Sequence, residues 1–258
     1  MTISDIILMG VKQKSFPRYL FKFRACNDNT KRVFLNNELW FSNPLDFNDP
    51  FDCNIPIDST FSNAQVEEWL RDSCGITDNI AIDKLIQALQ KNPNVAVEQV
   101  KKAMQETGMC CFSADEYSIL QWSHYANYHK GICLKFDITN DPAFFDNIQV
   151  VCYRNMMPHY NHITQHDKIV EYLIKPKFYQ WSYENEVRIV KPKPLMDLNK
   201  NNRAFKFKEG TLVEMIFGAN TTADDLNTYK DLCKKRNIPI SKMELSTGAT
   251  YGLEKRSW

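Results

Sequence analysis

The order of apolar and polar positions divides the chain into short strands and amphipathic helices. Residues 18–25, RYLFKFRA, alternate and read as a strand, with Leu20, Lys22 and Arg24 on one face and Tyr19, Phe21 and Phe23 on the other. NTKRVFLNNE (29–38) reads as a short helix with Asn29 as its cap. LWFSNPLDFNDPFD (39–52) is a strand running into a turn-rich loop, because N-P and N-D-P favour turns. From 62 to about 107 the apolar period changes to steps of three and four. Ser62 stands before the first run and Gly75 after it, so this stretch is expected to be a helical insertion of two or three helices.

GMCCFS (108–113) and GICLKFD (131–137) read as apolar strands flanking a helix over 116–130. IQVVCYR (148–154) reads as a strand, and DKIVEYLIKP (167–176) as a helix stopped by Pro176. Strands are expected over ENEVRIVK (184–191), RAFKFKE (203–209) and LVEMIFG (212–218). A helix follows over 221–237 with acids early and bases late, and IPISKMELS (238–246) closes the sheet. Strands and helices interleave without regular βαβ alternation. The expected class is therefore α+β, one domain over 1–258 with an antiparallel or mixed sheet and the helical insertion.

Composition narrows the function classes. The 258 residues are enough for a substantial core, with 43% hydrophobic and 12% aromatic residues. Only 8 glycines argue against a Gly-rich nucleotide loop, and a formal net charge of +1 does not predict strong non-specific nucleic-acid binding. No apolar run approaches the ~18–20 residues of a membrane span, and the N-terminus lacks the basic start of a signal peptide. The eight cysteines have no C-x-x-C spacing. Free thiols in the cytoplasm are expected, and no structural metal.

Candidate chemistry gathers in four places. On the strand 184–191, Glu184, Glu186 and Arg188 share a face by alternation, although Glu is scarce in strands. Either that face meets water, as polar sheet faces commonly do, or its carboxylates serve a site. The helix at 116–130 crowds Trp122, His124, Tyr125, Tyr128 and His129, which suits either ordinary packing or a shelf for a ring. Its two histidines lie about 140° apart on a helix, so a shared metal is not favoured. The loop 41–52 holds Ser42, Asn43, Asp46, Asn48, Asp49 and Asp52, explained equally by turn chemistry and by a binding site. Lys22 and Arg24 make a mixed basic face, either an anion-binding wall or a charged sheet edge.

Taken together, FNDPFD, WSHYANYHKGICLKFD and YENEVRIV resemble a bacterial family known as domain of unknown function 2971, over roughly 19–245. More weakly, ENEVRIVKP resembles the Glu-x-Glu strand of ADP-ribosyltransferases. That resemblance implies a split sheet and NAD as substrate. Glu186 would stabilise the ribosyl cation and Glu184 would orient the acceptor. Ser113 stands near the middle-strand serine, and Lys22 or Arg24 takes the first-strand place. The middle strand carries FSA instead of Ser-Thr-Ser, and Lys22 stands where many relatives have His or Arg. Trp122, His124, Tyr125, Asn48, Asp49 and Arg188 complete the nominated nucleotide-binding set. The implied acceptor is a protein or nucleic acid, in the setting of a bacterial toxin or phage-defence effector. The rival reading is a nucleotide- or nucleic-acid-binding module without chemistry. A metal-dependent phosphodiesterase using Asp46, Asn48 and Asp49 ranks last, since no compact His/Asp motif accompanies them.

Overall fold

Helix α1 (Ile3–Lys12) opens the chain under a Thr2 capping box and has no counterpart among the predicted elements. The computed structural model describes residues 1–192 and 203–257. After α1 come β1 (Tyr19–Arg24), α2 (Asp28–Asn36), β2 (Glu38–Trp40) and β3 (Ile57–Asp58), then the helices α3 (Asn63–Asp72), α4 (Asn79–Lys91) and α5 (Asn94–Glu106). β4 (Gly108–Ser113), α6 (Ile119–Tyr125) and β5 (Ile132–Asp137) follow. Next are β6 (Ile148–Val150), β7 (Cys152–Arg154), β8 (Tyr160–Asn161), β9 (Pro176–Phe178) and β10 (Glu186–Lys191). β11 (Ala204–Lys206), β12 (Leu212–Phe217), α7 (Ala223–Lys234), β13 (Ile240–Leu245) and β14 (Leu253–Ser257) end the described chain.

Eight strands form one sheet in the order β14-β13-β12-β5-β1-β4-β10-β6. Within this sheet, among the described residues, only the β12–β13 pair is parallel, so the chain is α+β with a mixed sheet, as its pattern predicts. One face carries Leu20, Phe112, Phe136, Val187, Ile189 and Phe217 against α1, α2 and α7. The other face is shared. Phe21, Phe23, Cys133 and Ile216 pack under Trp122 of α6, whereas Met109 and Val190 pack against α5 and residues 53–57. The insertion is three helices, bound by a separate cluster of Val66, Leu70, Ile82, Ile86 and Ile163.

The division of that second face coincides with a seam. β1 and β5 are in register over six residues, but β1 and β4 pair only at Phe21–Ser113. Past that point the strands part. The backbone carbonyl of Cys111 on β4 is satisfied by Lys22 Nζ at 2.7 Å rather than by a strand neighbour. A side chain thus covers a carbonyl the ladder leaves open, in keeping with the need to pair buried backbone groups.

Several predicted elements are corrected. α2 is capped by Asn27, not Asn29, since the Asn27 side chain accepts from Thr30 N–H. The 116–130 helix ends at Tyr125, because Asn127, Tyr128 and His129 are all left-handed. That turn is held by Gly131 N–H on Ala126 O and by Asn220 N–H on His129 O. The opposing Gly218 has no room for a Cβ, which would stand 2.1 Å from His129 O. The 148–154 strand breaks at Val151, whose N–H turns to Glu186 O, and β7 pairs with β9 instead. The 167–176 helix is reduced to a 3-10 turn and the π-helical turn Val170–Ile174, and Pro176 begins a strand rather than merely stopping a helix. β14, not β13, closes the sheet. Among the described residues no helix is long and apolar enough to cross a membrane.

Candidate functional site

The strand expected over 184–191 begins only at Glu186. Glu184 ends the 3-10 turn Tyr179–Glu184, and Asn185, with φ of 43°, is the left-handed residue between turn and strand. Asn is among the residues that tolerate that conformation. Alternation therefore does carry Glu186 and Arg188 to one face, but Glu184 joins them through the turn. Its backbone carbonyl is clamped by Ser113 Oγ at 2.8 Å and Gln121 Nε2 at 2.7 Å. In this way β4 and α6 fix where its side chain emerges.

The side chains meet in a buried ionic network. Lys177 of β9 donates to Glu184 Oε2 at 2.5 Å and Glu186 Oε2 at 2.8 Å, and lies 3.5 Å from Asp52 Oδ2. Arg188 grips Glu186 with Nε at 2.8 Å and Nη2 at 2.9 Å, and reaches Asp52 with Nη2 at 2.6 Å. Its Nη1 donates to Ile174 O at 2.7 Å and contacts Cys53 Sγ. The Tyr125 hydroxyl donates to Glu184 Oε1 at 2.5 Å. No side chain of the five ionised residues is more than 6% exposed. Three carboxylates thus face two cations, leaving one negative charge in excess, and a buried charge is tolerated only when paired or neutralised.

The carboxyl groups respond unequally. Burial raises Glu186, but Arg188 and then Lys177 outweigh it and hold the group well below the usual carboxylate range. Burial and repulsion from Glu186 win at Glu184, which is raised despite Lys177 and Tyr125. Burial opposes the charge on Lys177, yet Glu186, Asp52 and Glu184 together keep its pKa above the usual lysine value. Burial, followed by the Glu184 hydrogen bond, raises the Tyr125 phenol. Of the two glutamates, Glu184 is therefore the one that can take up a proton nearest neutrality, and Glu186 is a fixed anion.

This network forms one wall of a cavity of about 200 Å³ at the seam. The other walls come from Phe21, Lys22 and Phe23 of β1, Cys111 to Ser113 of β4, Gln121 and Tyr125 of α6, and Phe47 and Asn48 of the polar loop. The volume is below the about 300–1,000 Å³ of sites that enclose a drug-sized ligand. It suits one ring and its sugar, not a whole dinucleotide.

Of the residues nominated from sequence, Glu184, Glu186, Ser113, Tyr125, Asn48 and Lys22 line this cavity. The others do not. Arg188 is sealed beneath it, with its donors spent on protein acceptors. Trp122 is fully buried under α6, its Nε1 on Glu116 O. His124 lies on the outer side, 3.0 Å from the Tyr183 hydroxyl. Asp49 turns inward, where Oδ1 accepts from Phe51 N–H and Oδ2 has no partner. Arg24 lines a separate cavity. Sequence reasoning missed Lys177, which follows the Pro176 read as stopping a helix. It saw Asp52 only as part of a polar loop and did not nominate Gln121.

Residues 121–189 match a family model described as "Protein of unknown function (DUF2971)". That stretch contains Gln121, Tyr125, Lys177, Glu184, Glu186 and Arg188, so the match spans the whole network except Asp52. No curated protein and no solved structure matches the chain, and the ADP-ribosyltransferase resemblance gains no support from these comparisons. Over these 69 residues the chain is similar to a family whose description carries no activity.

Proposed function

We propose that the seam cavity is an active site that cleaves the N-glycosidic bond of NAD, passing the ADP-ribosyl group to an acceptor or to water. The observation that carries this reading is the pair of carboxylates, Glu184 and Glu186, that line an aromatic-walled cavity together with Lys177 and Lys22. Such a site favours a cationic nicotinamide ring and the positive charge that develops on the ribose as the bond breaks. In the reaction the C–N bond electrons go to the nicotinamide nitrogen, neutralising the ring, and the ribosyl carbon is captured by a hydroxyl or water oxygen. The proton lost by that nucleophile goes to Glu184, the carboxylate with the raised pKa. Glu186 supplies fixed negative charge, and Tyr125 and Lys177 orient Glu184. These roles keep those that the resemblance implies for the two glutamates, and the engagement of both Glu186 oxygens by Arg188 and Lys177 fits that residue for fixed charge rather than for proton transfer. An acceptor protein or nucleic acid, and a setting as a cytoplasmic bacterial toxin or phage-defence effector, belong to the same proposal.

A second reading is a nucleotide- or nucleic-acid-binding module without chemistry. The saturation of Glu186 by its cations favours it, since such a network also serves a purely structural role. A crystal soaked with NAD discriminates between them. The expected result is a nicotinamide ring or its vacated ribose against Tyr125 and Glu184. An intact nucleotide bound elsewhere, or none bound at all, overturns the active-site reading.

A further inference from the structure

Arg24 was nominated for the nucleotide site, but it lines a second cavity of about 350 Å³, with Asn29, Arg32, Glu38 and Trp40. The two cavities share no lining residue. Arg24 Nε donates to Thr30 Oγ1 at 3.1 Å, and Thr30 is itself held on Ala25 O. Arg32 is tied to Glu38 at 2.6 Å, so those two charges cancel. No carboxylate among the described residues balances Arg24; the ionisable groups acting on it are the Cys110 thiol and the Tyr229 phenol, and burial lowers its pKa. A largely buried guanidinium without an anion is costly, and the fork of N–H donors fits a phosphate better than any other common anion except a carboxylate. Trp40, which also lines the cavity, is 42% exposed.

We propose that this cavity is a second binding site, independent of the reaction at the seam, for a mononucleotide whose phosphate pairs with Arg24 and whose base lies on Trp40. Its size, within the about 300–1,000 Å³ range of small-molecule sites, admits the whole ligand. Titration calorimetry of the full chain with AMP and with inorganic phosphate tests it. Both should bind saturably, phosphate more weakly. Arg24→Gln should weaken both by about 10–100-fold, the worth of a charge-assisted hydrogen bond. Trp40→Ala should weaken AMP alone, and Glu184→Gln should change neither. Without ligand, Arg24→Gln should melt at or above the wild-type temperature, since it removes an unbalanced charge. If that variant does not fold, arginine modification by phenylglyoxal on the wild type replaces it, with AMP expected to protect Arg24. The proposal is overturned if AMP gives no saturable binding, if binding survives Arg24→Gln but not Glu184→Gln, or if Arg24 stays unprotected.

Discussion

Lys177→Met removes the one cation that touches all three carboxylates of the buried network. The side chain keeps its length and apolar stem, so the change is mainly one of charge. Asp52, Glu184 and Glu186 would then face Arg188 alone, and the excess grows from one negative charge to two. Breaking a buried pair by deleting one partner costs about 3–5 kcal/mol. For a chain of this size each kcal/mol lowers Tm by about 2–4 °C, so a drop of roughly 6–20 °C is expected at neutral pH. The deficit must depend on pH. Without Lys177 the Glu184 pKa rises further above its unfolded value and that of Glu186 is held down less, so the folded state binds protons more readily and the penalty shrinks as pH falls. Thermal and denaturant unfolding at pH 7 and pH 5, followed by circular dichroism, measure both effects. The double variant Lys177→Met with Glu184→Gln restores the original excess of one and should recover most of the loss. A deficit below about 1 kcal/mol, or one equal at the two pH values, would refute a buried ionic network centred on Lys177.

Other consequences follow from the same contacts. The two glutamates should pull acid stability in opposite directions. Glu186, held below its unfolded pKa of 4.5, contributes stability that is lost as pH falls below that value, whereas Glu184, raised above it, favours the fold as it protonates. Accordingly Glu186→Gln should flatten the acid limb of the stability profile, and unfolding curves between pH 3 and 6 would reveal an unaltered limb if the assignment is wrong. Tyr125→Phe removes a donor that stabilises ionised Glu184, so the acid limb of the pH–rate profile should move to higher pH, with a stability loss of about 1 kcal/mol. All eight cysteines are free, but only Cys74 and Cys152 are exposed. Native thiol titration should therefore find two fast groups, and denatured protein eight; five or more fast groups would contradict the packing of Cys53, Cys110, Cys133 and Cys233.

How much of this was legible depended on the range of the interactions involved. β4 lies at the residues its pattern predicts, and β5 within one, because apolar strands in a sheet's interior are bounded by turn residues nearby. The Glu-x-Glu stretch was legible as unusual, and its carboxylates do reach a cleft, yet the turn at Asn185 was hidden. A left-handed Asn inside an alternating run leaves no periodic trace. The overlong helix at 116–130 has a similar cause: what ends it is the approach of Gly218, about 90 residues away. Lys177 was invisible because its meaning lies in Asp52, Glu184 and Glu186, which come from a loop, a turn and a strand. β14 was missed because LEKRS is a polar edge strand that gains its place only by pairing with β13. Arg24 was read as part of an anion-binding wall or a charged sheet edge, and alternation sets its face but not which of two cavities it lines.

Nicotinamide release from labelled NAD, measured on purified wild type and Glu184→Gln together with their melting temperatures, bears on the active site without intermediaries. If Glu184 takes the proton of the attacking oxygen, release should fall by about 10²–10⁴-fold. Melting should change little, because the amide keeps the hydrogen-bond geometry while the excess negative charge is removed. No release by the wild type under any acceptor condition, or an undiminished rate in the variant, would contradict a glycosidic active site at the seam.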